Sequence, residues 1–240
     1  MRFILSITRY DPSADREPRF ERFTVDADPT DRILDALIYV KDRLDPTLGF
    51  RRSCAHGVCG SDAMRINGRE RLACKTLVKE VVPVEGAEVT VEPLRGMRVL
   101  RDLIVDQGGF FASYREVKPF LMNDEPVADR ERPQSPKQRA RFDDQTNCIL
   151  CASCQSACPV ARETMPDFIG PAALVQAGRF LFDSRDRGLA QRLDPLDLPR
   201  GAAACESRFE CTRVCPRGIK VTRNINEIKR TIAKHKEGKR

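Results

Sequence analysis

The sequence predicts an α+β protein in two parts: a strand-rich part over residues 1–100 and a helical part over 101–240. Three observations carry that division. Short runs with partial two-residue alternation surround one helical pattern in the first hundred residues, the mark of a small α+β domain. After Leu94 the pattern changes to helical spacing interrupted by a polar, proline-bearing connection. Ten cysteines fall into three tight groups, one in the first part and two in the second.

In chain order, "RFILSITRY" alternates in part and "RFERFTV" (19–25) is a second short strand. "PTDRILDALIYVKDRL" reads as a helix, with Asp31 as its N-cap and Ile33, Leu34, Leu37, Ile38 and Val40 at helical spacing. "GFRRSCAHGVCGSD" is a glycine-bearing loop. "AMRINGRERLACKTLV" reads as a hairpin on an Asn67-Gly68 type I′ turn, and "AEVTVEPL" (87–94) as the last strand. Beyond it, "GGFFASYREVKPFLM" has helical spacing, and "NDEPVADRERPQSPKQRARFDDQ" is a surface connection. "GPAALVQAGRFLFD" starts a helix at Pro171, and the amphipathic "TRNINEIKRTIAKH" closes the chain.

Composition excludes several function classes. The chain is 41% hydrophobic, and no stretch approaches the ~18 consecutive apolar residues of a membrane span. "MRFILSITRY" has no secretory pattern, so a soluble chain retained in its own compartment is expected. The net charge of +7 suits an acidic partner, a membrane surface or nucleic acid. Its charges are mixed, however, and no nucleic-acid-binding signature accompanies them, so no nucleic acid is expected. The one basic cluster, "KHKEGKR", reads as a frayed, solvated end. A reducing compartment disfavours disulfides, so the cysteines read as metal ligands.

Cys54, Cys59 and Cys74 follow the plant-type [2Fe–2S] spacing, C-x4-C-x2-C with a distant cysteine, except that the x2 step lands on Asp62. Ala55, Gly57, Gly60 and Ser61 are small enough to let backbone N–H groups turn toward sulfur. Asp62 is either an oxygen ligand to iron or an ordinary loop residue beside a zinc site or an empty loop. The x4 step is atypical of zinc, which favours close C-x2-C pairs.

Cys148, Cys151, Cys154, Cys158 and Pro159 match the bacterial two-cluster run C-x2-C-x2-C-x3-C-P, whose fourth cysteine ligates the other cluster. Cys205, Cys211, Cys215 and Pro216 match it too, with Arg208 where the second cysteine belongs. The crossover rule assigns Cys148, Cys151, Cys154 and Cys215 to a [4Fe–4S] cluster. It leaves Cys158, Cys205 and Cys211 for the other, and three thiolates suit [3Fe–4S]. A pair of zinc knuckles is disfavoured by both Cys-Pro endings. Three clusters make an electron wire. There is no G-x-G-x-x-G fingerprint and no nucleophile–base constellation, so no catalytic residue is expected in this chain. His56, inside the cluster loop, reads as a spacer.

These residues carry a resemblance. "SCAHGVCGSDAMRING", "LACKTLV", "CILCASC", "FIGPAAL", "FDSRDRG" and "CPRGIKVTRNINEIK" resemble the iron–sulfur subunit of succinate dehydrogenase (respiratory complex II) and its sister fumarate reductase over nearly the whole chain. The resemblance implies a plant-type ferredoxin-like (β-grasp) domain followed by an all-α bacterial-ferredoxin-like domain. It implies a flavoprotein partner that oxidises succinate at FAD, and membrane anchor subunits that hold quinone, with or without haem. Electrons would pass from FAD through [2Fe–2S], [4Fe–4S] and [3Fe–4S] to quinone. It also implies a peripheral position on the cytoplasmic face of the cell membrane, and it supports Asp62 as a ligand. Pro159, Glu206 and Arg208 adjoin the [3Fe–4S] ligands and are the expected quinone-proximal residues. The family often has a Trp after the first Cys-Pro and a His after the first cysteine of the second run. This chain has no Trp, and Glu206 follows Cys205. The alternatives are a fumarate reductase subunit running in reverse and a free-standing multi-cluster ferredoxin-like carrier.

Overall fold

The computed structural model describes residues 1–126 and 129–238. In chain order the elements are β1 (Arg2–Arg9), β2 (Arg19–Asp26), α1 (Ile33–Tyr39), β3 (Ala63–Ile66), β4 (Arg69–Leu72), α2 (Val78–Val81), β5 (Glu88–Glu92), β6 (Val99–Arg101) and β7 (Ile104–Val105). Then follow α3 (Gly108–Glu116), α4 (Pro136–Arg139), α5 (Asp143–Thr146), α6 (Ser153–Ala157), α7 (Pro171–Leu181), α8 (Leu189–Leu196), α9 (Glu210–Arg213) and α10 (Val221–Glu237). The chain forms two compact units. The first is Met1–Gln107 with Ile149–Ala157; the second is Gly108–Cys148 with the chain from Cys158 onward.

The first unit is a mixed five-stranded sheet in the order β2-β1-β5-β3-β4. β1 and β5 run parallel, and the other neighbours are antiparallel. β1 lies between two strands, and Phe3, Leu5 and Ile7 are wholly buried. They pack with Ile33, Leu34 and Leu37 of α1 and with Val89 and Val91 of β5. Each such side chain contributes about 1.5–3 kcal/mol of hydrophobic stabilisation. Asn67 (φ 49°) and Gly68 (φ 75°) both take the left-handed conformation that a type I′ turn requires. Arg9, 5% exposed, ends β1 in a carboxylate nest. Its guanidinium donates to Asp102 (3.2 Å), Glu21 (2.7 Å), Thr47 (2.7 Å) and Asp45.

Two expectations are corrected here. The N-cap of α1 is Arg32, not Asp31; the backbone N–H of Arg32 donates to Asp35 inside the helix (2.9 Å), while Asp31 accepts from the N–H of Asp28. And β5 is not the last strand, because β6 and β7 form a further hairpin. Strands of three and two residues are too short to show alternation. Asp102, between them at φ 45°, accepts from Arg9, Tyr10 N and Gly49 N.

The second unit is built from helices. α7 is buried over most of its surface, with Ala172, Ala173, Leu174, Val175 and Ala177 among its buried residues. Pro171 sits in its first turn, where the lost N–H costs no helical bond. Val221, Ile225, Ile228 and Ile232 of α10 form the buried stripe of an amphipathic helix. Gly178 lets α10 come close: a Cβ there would lie 2.4 Å from Asn224 Nδ2. Arg192, wholly buried, pairs with Asp186 (2.7 Å) and donates to the carbonyls of Val117, Lys118 and Phe120.

The polar connection is more than surface, because it contains α4 and α5 and buries Phe142 and Gln145. Its Val127 and Ala128 lie outside the described residues. Lys234–Glu237, expected to fray, form the last turn of α10, and Lys239 and Arg240 lie outside the described residues. Among the described residues no helix is long and apolar enough to cross a membrane.

Candidate iron–sulfur sites

In the first unit, residues 54–60 fold around sulfur. The Sγ of Cys54 accepts backbone N–H groups of His56 (3.5 Å), Val58 (3.4 Å) and Cys59 (3.3 Å). The N–H of Cys54 in turn points at Cys59 Sγ (3.5 Å). This needs left-handed backbone at Ala55 (φ 56°), Gly57 (φ 79°) and Gly60 (φ 69°). Donation by His56, Cys59 and Val58 pulls the Cys54 thiol down to about 6, toward the thiolate that iron requires.

Asp62 is 2% exposed and belongs to the same site. Its Oδ2 accepts the N–H of Cys74 (2.6 Å), and its Oδ1 is buried without a hydrogen-bond partner. Burial first, and then the Asp62 carboxylate beside it, pushes the Cys74 thiol up to about 12. A buried carboxylate oxygen without a donor is costly, and a metal ion beside it would satisfy it. Cys54, Cys59, Asp62 and Cys74 therefore fit an iron–sulfur group: the backbone is aimed at sulfur, and one oxygen has no other partner.

Cys151 and Cys154 lie in the segment 149–157 of the first unit, which is fixed from two sides. Ser156 Oγ donates to buried Glu70 on β4 (2.8 Å) and accepts from Arg95 N (2.8 Å). The backbone at Gly60 lies directly against Cys151. This clamp was not foreseen from the sequence; a buried glutamate on a short strand, partnered by a serine within a cysteine run, has no local pattern.

In the second unit, burial raises the Cys215 thiol; Cys148 and Asp144 lie near enough to add to the rise. Cys158 and Cys211 are likewise raised, first by burial, with Cys205 close to both. Cys158, Cys205 and Cys211 line one cavity together with Pro159, Glu206 and Arg208. Thr222 Oγ1 lies 3.5 Å from Cys211 Sγ, Ser207 N donates to Cys205 Sγ (3.4 Å), and Lys229 Nζ donates to Cys205 O (2.5 Å). Thr222 and Lys229 are further residues that sequence reasoning missed; they come from α10, and only helix packing brings them here. Arg208 turns outward, 66% exposed, with its Nε 3.0 Å from Glu206. Among the described residues no three His, Cys, Asp or Glu side chains are drawn tightly enough to hold a single ion.

The two cysteine runs share one backbone. Leu150 (φ 54°) and Ala152 (φ 62°) flank Cys151; Ser207 (φ 56°) and Phe209 (φ 64°) flank Arg208. Cys148 N donates to Gln145 O and Cys205 N to Ala202 O, both at 3.2 Å. Gln155 and Ser156 donate to Ala152 O as Thr212 and Arg213 donate to Phe209 O.

Comparison with known proteins gives the family. Residues 4–112 match the family described as a 2Fe-2S iron-sulfur cluster binding domain, and residues 144–219 match the 4Fe-4S dicluster domain. The succinate dehydrogenase iron-sulfur subunit of Coxiella burnetii is 40% identical, over 97% of each chain. The fumarate reductase iron-sulfur subunit of Mycobacterium tuberculosis is 42% identical, over 98% of this chain and 94% of its own. Among solved structures, a chain of the Mycobacterium smegmatis Sdh1 complex in the apo form superposes with a TM-score of 0.86 at 27% identity, covering 98% of this chain and 97% of that one. With both cluster domains present and relatives similar over almost their entire length, this chain belongs to the family of succinate dehydrogenase and fumarate reductase iron–sulfur subunits.

Proposed function

We propose that this chain carries single electrons from a flavoprotein, where FAD oxidises succinate, to quinone held by a membrane anchor, from the cytoplasmic face of the membrane. Bound at these residues, [2Fe–2S], [4Fe–4S] and [3Fe–4S] groups supply one-electron carriers. Cys54, Cys59, Asp62 and Cys74 hold the first; Cys148, Cys151, Cys154 and Cys215 the second; Cys158, Cys205 and Cys211 the third. The chain's own residues do the rest. Backbone N–H groups directed at Cys54 Sγ offset thiolate charge and raise the tendency to accept an electron. Burial of Cys158 and Cys211 excludes water from the terminal centre. Pro159, Glu206 and Arg208, lining the same cavity as the three terminal thiols, form the exit toward quinone.

The observation that carries this reading is Arg208. The backbone of the second run repeats that of the first, yet the side chain at the missing ligand's place leaves for Glu206. A three-thiolate corner is what [3Fe–4S] needs. The test is purification under anaerobic conditions with metal analysis and EPR. The expected result is about nine irons per chain, by the sum of the three clusters, a [3Fe–4S] signal in the oxidised state, and co-purification with a flavoprotein and a membrane anchor. Zinc as the main metal, or no oxidised-state signal, refutes it.

A further inference from the structure

Gly60 and Cys151 are in closer contact than any residue with a side chain at position 60 would allow. A Cβ built on Gly60 would lie 2.7 Å from Cys151 Cβ, 3.0 Å from Cys151 Cα and 3.2 Å from the carbonyl oxygen of Ile149. Real Cβ atoms essentially never come as close as 2.7 Å to another Cβ, the backbone atoms at 3.0 and 3.2 Å are tight as well, and a close-packed interior has little slack to yield. Gly60 directly follows Cys59, so the loop that holds one ligand set touches a ligand of the next. Neither side of the contact is loose. Gly60 is held at φ 69° within the sulfur-directed loop, and the Cys151 segment is pinned by Ser156 Oγ to Glu70 (2.8 Å) and by Arg95 N to Ser156 Oγ (2.8 Å). Ser156 is wholly buried and Glu70 is 4% exposed, so the pin is protected from water.

We infer that Gly60 is a positioning residue for electron transfer. Its lack of a side chain seats the [2Fe–2S] loop on Cys151, and the Ser156–Glu70 pin keeps it there, so that the electron passes from the first centre to the second at this contact. With both groups bound, Cys59 and Cys151 would hold them on either side of this contact, and a single electron would pass from [2Fe–2S] to [4Fe–4S] with no bond made or broken. This rests on the ligand assignment above.

Gly57 provides a matched control. It lies in the same loop, at φ 79°, and alanine there meets only the flexible side chain of Lys75, at 2.8 Å. Gly57→Ala and Gly60→Ala thus share the backbone strain of a left-handed alanine, about 1–2 kcal/mol, but only Gly60→Ala wedges the loop off Cys151. The experiment uses the cluster-loaded chain. Iron content and EPR first establish that both centres are present. Power saturation of the reduced state then reads the magnetic coupling between them, and photoreduction with freeze-quench EPR reads arrival of the electron at the second centre. Gly57→Ala reads the effect of left-handed strain in the cluster loop alone, and Gly60→Ala is expected to weaken the coupling and slow arrival severalfold beyond that effect. Ser156→Ala, which releases the pin while leaving every proposed ligand in place, should weaken the coupling in the same direction and serves if Gly60→Ala does not load iron, its own iron content being checked first. Gly60→Ala behaving like Gly57→Ala overturns the inference, as does unchanged coupling in Ser156→Ala. A wild-type chain lacking either EPR signal refutes the ligand assignment instead.

Discussion

The run at residues 148–158 and the run at 205–215 have the same backbone and opposite interiors. In both, two non-glycine residues with positive φ bracket the second motif position, and both enter a one-turn helix two residues later. At that position the first run has Cys151, 9% exposed and packed into the core of the first unit. The second run has Arg208, two-thirds exposed and paired with Glu206. The backbone of the run is therefore the same whether cysteine or arginine occupies its second motif position. Left-handed backbone at Leu150, Ala152, Ser207 and Phe209 costs about 1–2 kcal/mol each. Its retention around Arg208 is what the proposed ligands Cys205 and Cys211 would require. At the second motif position the runs differ by one side chain, the difference on which the proposed [3Fe–4S] assignment rests.

The largest effect should come from making the first run resemble the second. Cys151→Arg would bury a guanidinium where Gly60 leaves no room, and an unpaired buried charge costs about 3–5 kcal/mol. The variant should lose about four irons per chain, the content of one [4Fe–4S] group, and melt at a lower temperature. Full iron content by metal analysis would show that Cys151 is not a ligand.

The reverse exchange should be milder. Arg208→Cys supplies a fourth thiolate beside Cys158, Cys205 and Cys211 and removes an exposed ion pair worth at most about 1 kcal/mol. Stability should barely change. The oxidised-state [3Fe–4S] EPR signal should vanish, and a second [4Fe–4S] signal should emerge on strong reduction. A thiolate gained and a cation lost both lower the potential of that centre, so quinone reduction should slow. An unchanged [3Fe–4S] signal in an iron-replete variant means that position 208 does not face the open corner.

The smallest effect tests the shared backbone itself. Ser207→Gly relieves a left-handed serine and costs some unfolded-state entropy, so a net gain below about 1 kcal/mol is expected. That corresponds to a rise of a few degrees at most, read by thermal denaturation, with the EPR spectrum unaltered. A fall in melting temperature would mean that the Ser207 hydroxyl, 3.1 Å from Asn226 Oδ1, contributes more than the strain takes away.

Much of the molecule is written in local sequence. Cysteine spacing, the Cys-Pro endings and the step onto Asp62 come from consecutive residues, because a cluster is wrapped by tight loops whose reach is a few residues. The β1, β2, β3 and β4 strands, the Asn67-Gly68 turn and helices α7 and α10 follow from alternation, turn chemistry and helical spacing, all short-range. The β6–β7 hairpin and the helices within the polar connection were illegible because two- to four-residue elements carry no period. Only tertiary structure decided that residues 149–157 belong with the first unit, that Glu70 and Ser156 hold them there, and that Thr222 and Lys229 of α10 reach the Cys211 and Cys205 site. Those contacts join residues 86, 11 and 24 positions apart. The first and last depend on how whole elements pack, which no local pattern encodes. Only the folded chain, likewise, sets Gly60 against Cys151: the glycine is visible in sequence, but the atom that forbids anything larger is ninety-one residues away.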